Sequence, residues 1–156
     1  MLVWFPLGRA HRRNSAALLI LLLGMMFLLP QSAGSTDSNN FVTTQASNTK
    51  STLMSIQFRT PQNGWVVGTG GTILKTTDGG KKWKRVVSGT STLLTSVFFA
   101  DSSTGWVTGA GGFLSRTTNG GESWLLQRVD TQQALYGVYF TSPAVGWVVG
   151  GAGTIL

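Results

Sequence analysis

From residue 53 onward, short apolar runs alternate with clusters of Gly, Ser, Thr, Asn and Asp, and the pattern returns every 41 residues without insertion or deletion. Met54, Ile56 and Phe58 alternate with Ser55 and Gln57, the period of two expected of a strand with one buried face. Val97 with Phe99, and Val138 with Phe140, repeat the later two apolar positions. A second strand is predicted over Gly64-Trp65-Val66-Val67-Gly68, which returns as Gly105-Trp106-Val107-Thr108-Gly109 and Gly146-Trp147-Val148-Val149-Gly150. A Gly-rich turn leads to a third strand, Thr72 to Lys75, and a fourth runs from near Trp83 to about Val87. No stretch of this region places apolar residues at helical spacing, so the repeat reads as all-β.

Four short antiparallel strands in 41 residues match one blade of a β-propeller. Blades pack face to face, so both faces of each sheet are buried and strands become nearly continuous in apolar and small residues. On this reading Trp65, Trp106 and Trp147 belong to the core. The expected architecture is an incomplete propeller of about two and a half blades: blade 1 over about 53–90, blade 2 over about 91–131, and a partial blade 3 over about 132–156. Leu156 aligns with Leu74 and Ser115, inside a third strand. The register therefore predicts a truncated reading frame whose continuation encodes a basic residue, Thr, Thr or Ser, Asp or Asn, Gly-Gly, and a Trp near position 165.

The first third of the chain has a different texture. Arg9, Arg12 and Arg13 precede fourteen apolar or glycine residues, Ala16 to Leu29, and small polar residues follow. Basic flank, apolar run and small residues are the parts of a secretory signal, and the run is short beside the ~20 residues of a membrane span. Residues 1–34 are therefore read as an export signal or short signal anchor, and residues 35–52 as a polar linker with little apolar surface to bury. Basic residues ahead of the run place the remainder on the non-cytoplasmic side, in a periplasm, a thylakoid lumen or outside the cell.

Composition removes several kinds of chemistry. There is no cysteine, and the one histidine, His11, lies in the signal region, so the exported part lacks the residues that most often act as nucleophiles or hold transition metals. No metal or cofactor is expected. The chain carries +7 overall, but from residue 35 onward nine Lys and Arg face five Asp and Glu. Four of the nine, Lys81, Lys82, Lys84 and Arg85, fall in one segment and form the candidate patch for an acidic partner surface. Glu122, Ser123, Leu125 and Leu126 stand at the same places in repeat two, so the repeat itself does not require the charge. No basic stripe interleaved with aromatics appears, which argues against nucleic acid.

Between the third and fourth strands, Thr76-Thr77-Asp78-Gly79-Gly80-Lys81-Lys82-Trp83 fits the Asp-box pattern SxDxGxxW, with Thr at the first place. Its copy, Thr117-Thr118-Asn119-Gly120-Gly121-Glu122-Ser123-Trp124, has Asn for Asp. Such a turn needs a short acceptor side chain to bond backbone N–H groups, glycines for backbone angles that side chains disfavour, and an indole to anchor the hairpin. Asn keeps the acceptor, whereas a catalytic carboxylate does not tolerate that exchange. Thr76, Asp78, Gly80 and Trp83, with Thr117, Asn119, Gly121 and Trp124, are accordingly read as architecture, and no residue is read as catalytic.

The strings GWVVGTGGTILKTTDGGKKW and GWVTGAGGFLSRTTNGGESW resemble the repeat of the photosystem II stability and assembly factor family, grouped with BNR or sialidase-like repeats. The resemblance covers residues 53–156. It implies a non-enzymatic exported propeller that binds proteins, and in a photosynthetic source it implies photosystem II reaction-centre subunits as partners. The arginine-rich binding surface of that family does not carry over, because Arg59, Arg85, Arg116 and Arg128 sit at different places within the repeat. The competing reading is a carbohydrate-binding or glycoside hydrolase propeller, since sialidases also carry Asp boxes. That chemistry needs paired carboxylates or an arginine cluster with a tyrosine. Asp37 lies in the linker, Asp78, Asp101, Glu122 and Asp130 fall in or beside turns, and Tyr136 and Tyr139 read as strand packing.

Overall fold

A computed structural model describes residues 42–156; the export signal expected over 1–34 and the first part of the linker lie outside the described residues. Residues 42–52 hold no regular element, and Thr43–Leu156 forms one compact unit. Ten strands follow: β1 (Leu53–Phe58), β2 (Gly64–Gly68), β3 (Thr72–Thr76), β4 (Lys84–Val86), β5 (Leu94–Phe99), β6 (Gly105–Gly109), β7 (Leu114–Thr117), β8 (Leu125–Leu126), β9 (Leu135–Ser142) and β10 (Val145–Gly150). They form two four-stranded antiparallel sheets in simple sequential order, β1-β2-β3-β4 and β5-β6-β7-β8, and a two-stranded sheet of β9 and β10. A short 3-10 turn, Gly151–Gly153, follows β10 and leads to a bridge between Val149 and Ile155, the beginning of a third strand in the last sheet. These sheets are successive propeller blades, as the period predicts. No helix among the described residues is long and apolar enough to cross a membrane.

The Gly-Trp pair has a packing reason. Gly64, Gly105 and Gly146 are the cross-strand partners of Phe58, Phe99 and Phe140. A Cβ on any of the three would lie 2.3–2.7 Å from the phenyl ring, so the ring occupies the place of the missing side chain. The following Trp then projects onto the next blade. Trp65 stacks on Phe99 at 3.7 Å between centroids and 19°, and Trp106 stacks on Phe140 at 3.5 Å and 6°.

The core is the seam between blades 1 and 2. Trp65, Val67, Ile73 and Val86 of the first meet Leu94, Val97, Phe99 and Val107 of the second, with Phe113 and Trp124 packed against them. Polar groups cross the same seam. The Gln57 amide spans the Phe99 backbone, accepting from its N–H and donating to its carbonyl, and Ser55 Oγ accepts from Val97 N–H at 3.4 Å. Between blades 2 and 3, Thr95 Oγ1 donates to the Leu135 carbonyl.

Two expectations about burial are corrected. Met54, Ile56 and Phe58 are exposed, whereas Ser55 and Gln57 face blade 2. Their counterparts Val97 and Phe99 are buried because blade 1 covers them, and among the described residues nothing covers β1 in the same way. Trp147, Tyr136 and Tyr139 are likewise exposed on blade 3, although the Tyr139 ring still touches Phe98 at 5.1 Å. Trp65 is 2% and Trp106 4% exposed against 50% for Trp147, so the same motif is core only where a following blade lies on it.

Candidate protein-binding site

The turn between β3 and β4 is organised by two side chains. Thr76 Oγ1 accepts from Gly80 N–H at 2.9 Å and donates to Asp78 Oδ1 at 2.8 Å, while Asp78 Oδ1 also accepts from Lys82 N–H at 2.9 Å. The β7–β8 turn repeats each bond: Gly121 N–H to Thr117 Oγ1 at 3.0 Å, Thr117 Oγ1 to Asn119 Oδ1 at 2.8 Å, and Ser123 N–H to Asn119 Oδ1 at 3.0 Å. The ring of Trp83 then meets Phe58 edge-on at 6.0 Å, as Trp124 meets Phe99 at 5.9 Å. The Lys82 N–H and the Thr76 hydroxyl hold the Asp78 carboxyl below the usual range.

Because only the Oδ1 acceptor is used and Asn supplies it in blade 2, Asp78→Asn is expected to leave the urea midpoint essentially unchanged. Asp78→Leu leaves the Lys82 N–H and the Thr76 hydroxyl without that acceptor and should lower the midpoint. Urea denaturation of the two variants side by side checks the difference.

One row of cross-strand partners carries the charge. Gln57 lies opposite Trp65, Trp65 opposite Lys75, and Lys75 opposite Lys84, so the four share one face of the first sheet. Like charges directly opposite repel, and Glu122 from the blade 2 turn lies between them in effect: its Oε1 is 2.6 Å from Lys75 Nζ. The Lys75 hydrogen bond and charge, with a smaller contribution from Lys84, hold the Glu122 carboxyl below its ordinary value. Lys75, Lys82 and Lys84, with Asp78, Trp83 and Glu122, line a groove of about 360 Å³.

The four basic residues singled out from sequence do not stay together. Lys82 and Lys84 line that groove, whereas Arg85 projects to the other side of β4, where it lines a separate depression with Ser88 and Thr90 and its Nη2 reaches the Gly70 carbonyl at 3.4 Å. Lys81 is exposed and lines neither. Strand alternation separates neighbours 84 and 85. Lys75 is the residue that sequence reasoning missed. The signal was in the register itself, since Lys75 and Arg116 occupy the same repeat position, each a cation beside the blade's Trp; the Arg116 guanidinium lies 5.6 Å from the Trp106 ring centre.

The remaining carboxylate with a pronounced shift is far from this groove in role. Asp101 Oδ1 accepts from Thr104 N–H at 2.6 Å and Ser103 N–H at 2.7 Å, which lowers its pKa to about 2. It closes the β5–β6 turn as an Asx turn. No group of three or more His, Cys, Asp and Glu comes together among the described residues.

Residues 35–127, more than half of the chain, match the sequence profile of the photosynthesis system II assembly factor YCF48. In structure the chain is similar to YCF48 from Cyanidioschyzon merolae, with 27% identity and a TM-score of 0.62 over 69% of this chain and 36% of that one. It is similar to the same degree to a structure described as YCF48 bound to D1 peptide, with 26% identity and a TM-score of 0.62 over 69% of this chain and 37% of that one. The chain thus spans little more than a third of the length of those structures. Curated proteins give no match. Sequence profile, blade order and the repeated Gly-Trp seam agree, and the chain belongs to the family of the photosynthesis system II assembly factor YCF48.

Proposed function

We propose that this chain is an exported, non-enzymatic scaffold that binds a polypeptide of the photosystem II reaction centre through the groove of Lys75, Lys82, Lys84 and Trp83. The observation that carries the reading is the family match together with the structural likeness to YCF48 bound to D1 peptide. The groove supports it chemically. Two lysines face each other across β3 and β4 and are balanced by Glu122, more than half exposed, so a carboxylate on an extended peptide can take the place of Glu122 beside them. Trp83 offers an aromatic wall to the peptide's apolar side chains. The N-terminal basic flank and apolar run support export.

A hydrolytic role has less support. General acid catalysis of glycoside cleavage needs a carboxyl whose pKa is raised, and Asp78, Asp101 and Glu122 are all shifted downward by hydrogen bonds.

Titration of a fluorescently labelled D1 peptide against the purified chain tests the reading. Saturable binding is expected, weakening as salt rises. The double substitution Lys82→Glu with Lys84→Glu should weaken it about tenfold or more, equivalent to ~1.4 kcal/mol. Unchanged affinity in that variant moves the site elsewhere, failure of the parent chain to bind defeats the partner assignment, and turnover of a fluorogenic sialoside defeats the scaffold reading.

A further inference from the structure

The Lys75–Glu122 contact joins blade 1 to blade 2 and is the one ion pair among the described residues. Its two partners are held unequally. The Lys75 side chain is 15% exposed and that of Glu122 56%. Lys75 leaves β3 between its cross-strand partners Trp65 and Lys84, and its ammonium lies over the β7–β8 turn, 3.8 Å from where a Gly120 Cβ would be. Glu122 is tied at one point: its Oε1 meets Lys75, and no described residue bonds its second oxygen. The turn does not need that carboxylate. Lys81 stands at the same position of the blade 1 turn, and both turns close through the same Thr, Asp or Asn, and Gly bonds.

Given the polypeptide-binding role proposed above, we infer that Glu122 is a built-in competitor for the groove's lysines and so determines its specificity: the groove takes a segment whose own carboxylate displaces Glu122. A neutral segment leaves the pair intact and gains no purchase on Lys75. The groove holds three lysines and two carboxylates, Asp78 and Glu122. Asp78 is committed to its own turn through the Thr76 hydroxyl and the Lys82 N–H, so Glu122 is the carboxylate that can leave.

The exchange keeps the number of charge-assisted hydrogen bonds on Lys75 the same, because an incoming carboxylate accepts where Glu122 did. What tips it is Lys84. That residue is exposed, lies directly opposite Lys75, and bonds to no carboxylate among the described residues. Glu122 is fixed to the blade 2 turn and bonds Lys75 alone, whereas a ligand carboxylate can lie between both ammonium groups. The competition is mild, since a half-exposed pair is screened by water and shifts an equilibrium by no more than about fivefold. Glu122 therefore sets a threshold without closing the groove.

The test titrates a fluorescently labelled D1 peptide, and the same peptide with every carboxyl group converted to an amide, against the purified parent chain and its variants. Glu122→Gln should bind the carboxylate form about three- to fivefold more tightly than the parent does, and the amide form no more tightly. Asp130→Asn removes the same charge from an exposed residue outside the groove and should leave both affinities unchanged. In a Lys75→Gln background, Glu122→Gln should bring no gain. An equal gain for both peptide forms, an equal gain in Asp130→Asn, or a gain that survives without Lys75 overturns the competition. A parent that binds and a Glu122→Gln variant that binds no more tightly overturn it too, while leaving the polypeptide-binding role standing. If neither chain binds either form, that role and the competition fall together. Circular dichroism unchanged from the parent shows that each variant is folded.

Discussion

Replacing Trp65 by alanine is expected to destabilise the protein by about 3–5 kcal/mol, measured by urea denaturation with circular dichroism as the readout. The indole is nearly fully buried, stacks on Phe99, and donates from Nε1 to the Gly120 carbonyl at 3.1 Å. Its removal opens a cavity in the seam, leaves a buried carbonyl without its donor, and withdraws the ring that positions the blade 2 turn. A loss of that size is a large share of the ~5–15 kcal/mol typical of folded domains. Trp147→Ala at the same repeat position should cost no more than about 1 kcal/mol, because that ring is half exposed and has no following phenyl to stack on among the described residues. Equal losses in the two variants would show that the tryptophan stabilises its own sheet and not the seam.

Gly121→Ala is expected to cost about 3 kcal/mol. Gly121 has φ of +80°, where an L side chain costs ~1–2 kcal/mol, and its Cβ would come within 2.6 Å of Trp65 Nε1, adding an overpacking cost of ~1–3 kcal/mol. Gly70→Ala isolates the first contribution. Gly70 has φ of +65° with no atom near its Cβ position, so about 1 kcal/mol is expected there. If the two substitutions cost the same in the same denaturation assay, the close approach of turn and indole is not as drawn. Ala152 marks the scale of tolerance: it adopts φ of +50° at the place that Gly70 and Gly111 hold in the earlier repeats.

The strands are legible in the chain because each is bounded by residues with one conformational use, such as the paired glycines at 79–80 and 120–121, and because three copies of the pattern average out local ambiguity. The all-β propeller reading follows from that spacing alone. Burial is not legible in the same way. Ile56 and Val97 are chemically alike and equivalent in register, yet one is exposed and the other buried, since burial is decided by the neighbouring blade and not by the strand's own alternation. The same cause misleads the reading of Trp147. The basic cluster fails for a different reason: residues adjacent in sequence lie on opposite sides of a strand, so Lys84 and Arg85 part company while Lys75, nine residues earlier, joins Lys84 through cross-strand register.

The indole of Trp65 also turns the seam into an optical probe. Its ring belongs to one blade, while its stacking partner and hydrogen-bond acceptor belong to the next. In a variant whose other five tryptophans are replaced by phenylalanine, its emission responds to the two blades parting, and the far-ultraviolet circular dichroism responds to strands parting within each. Where the blades separate before the sheets dissolve, fluorescence changes first, and the interval between the two transitions gives the strength of blade-to-blade coupling in a repeat array directly.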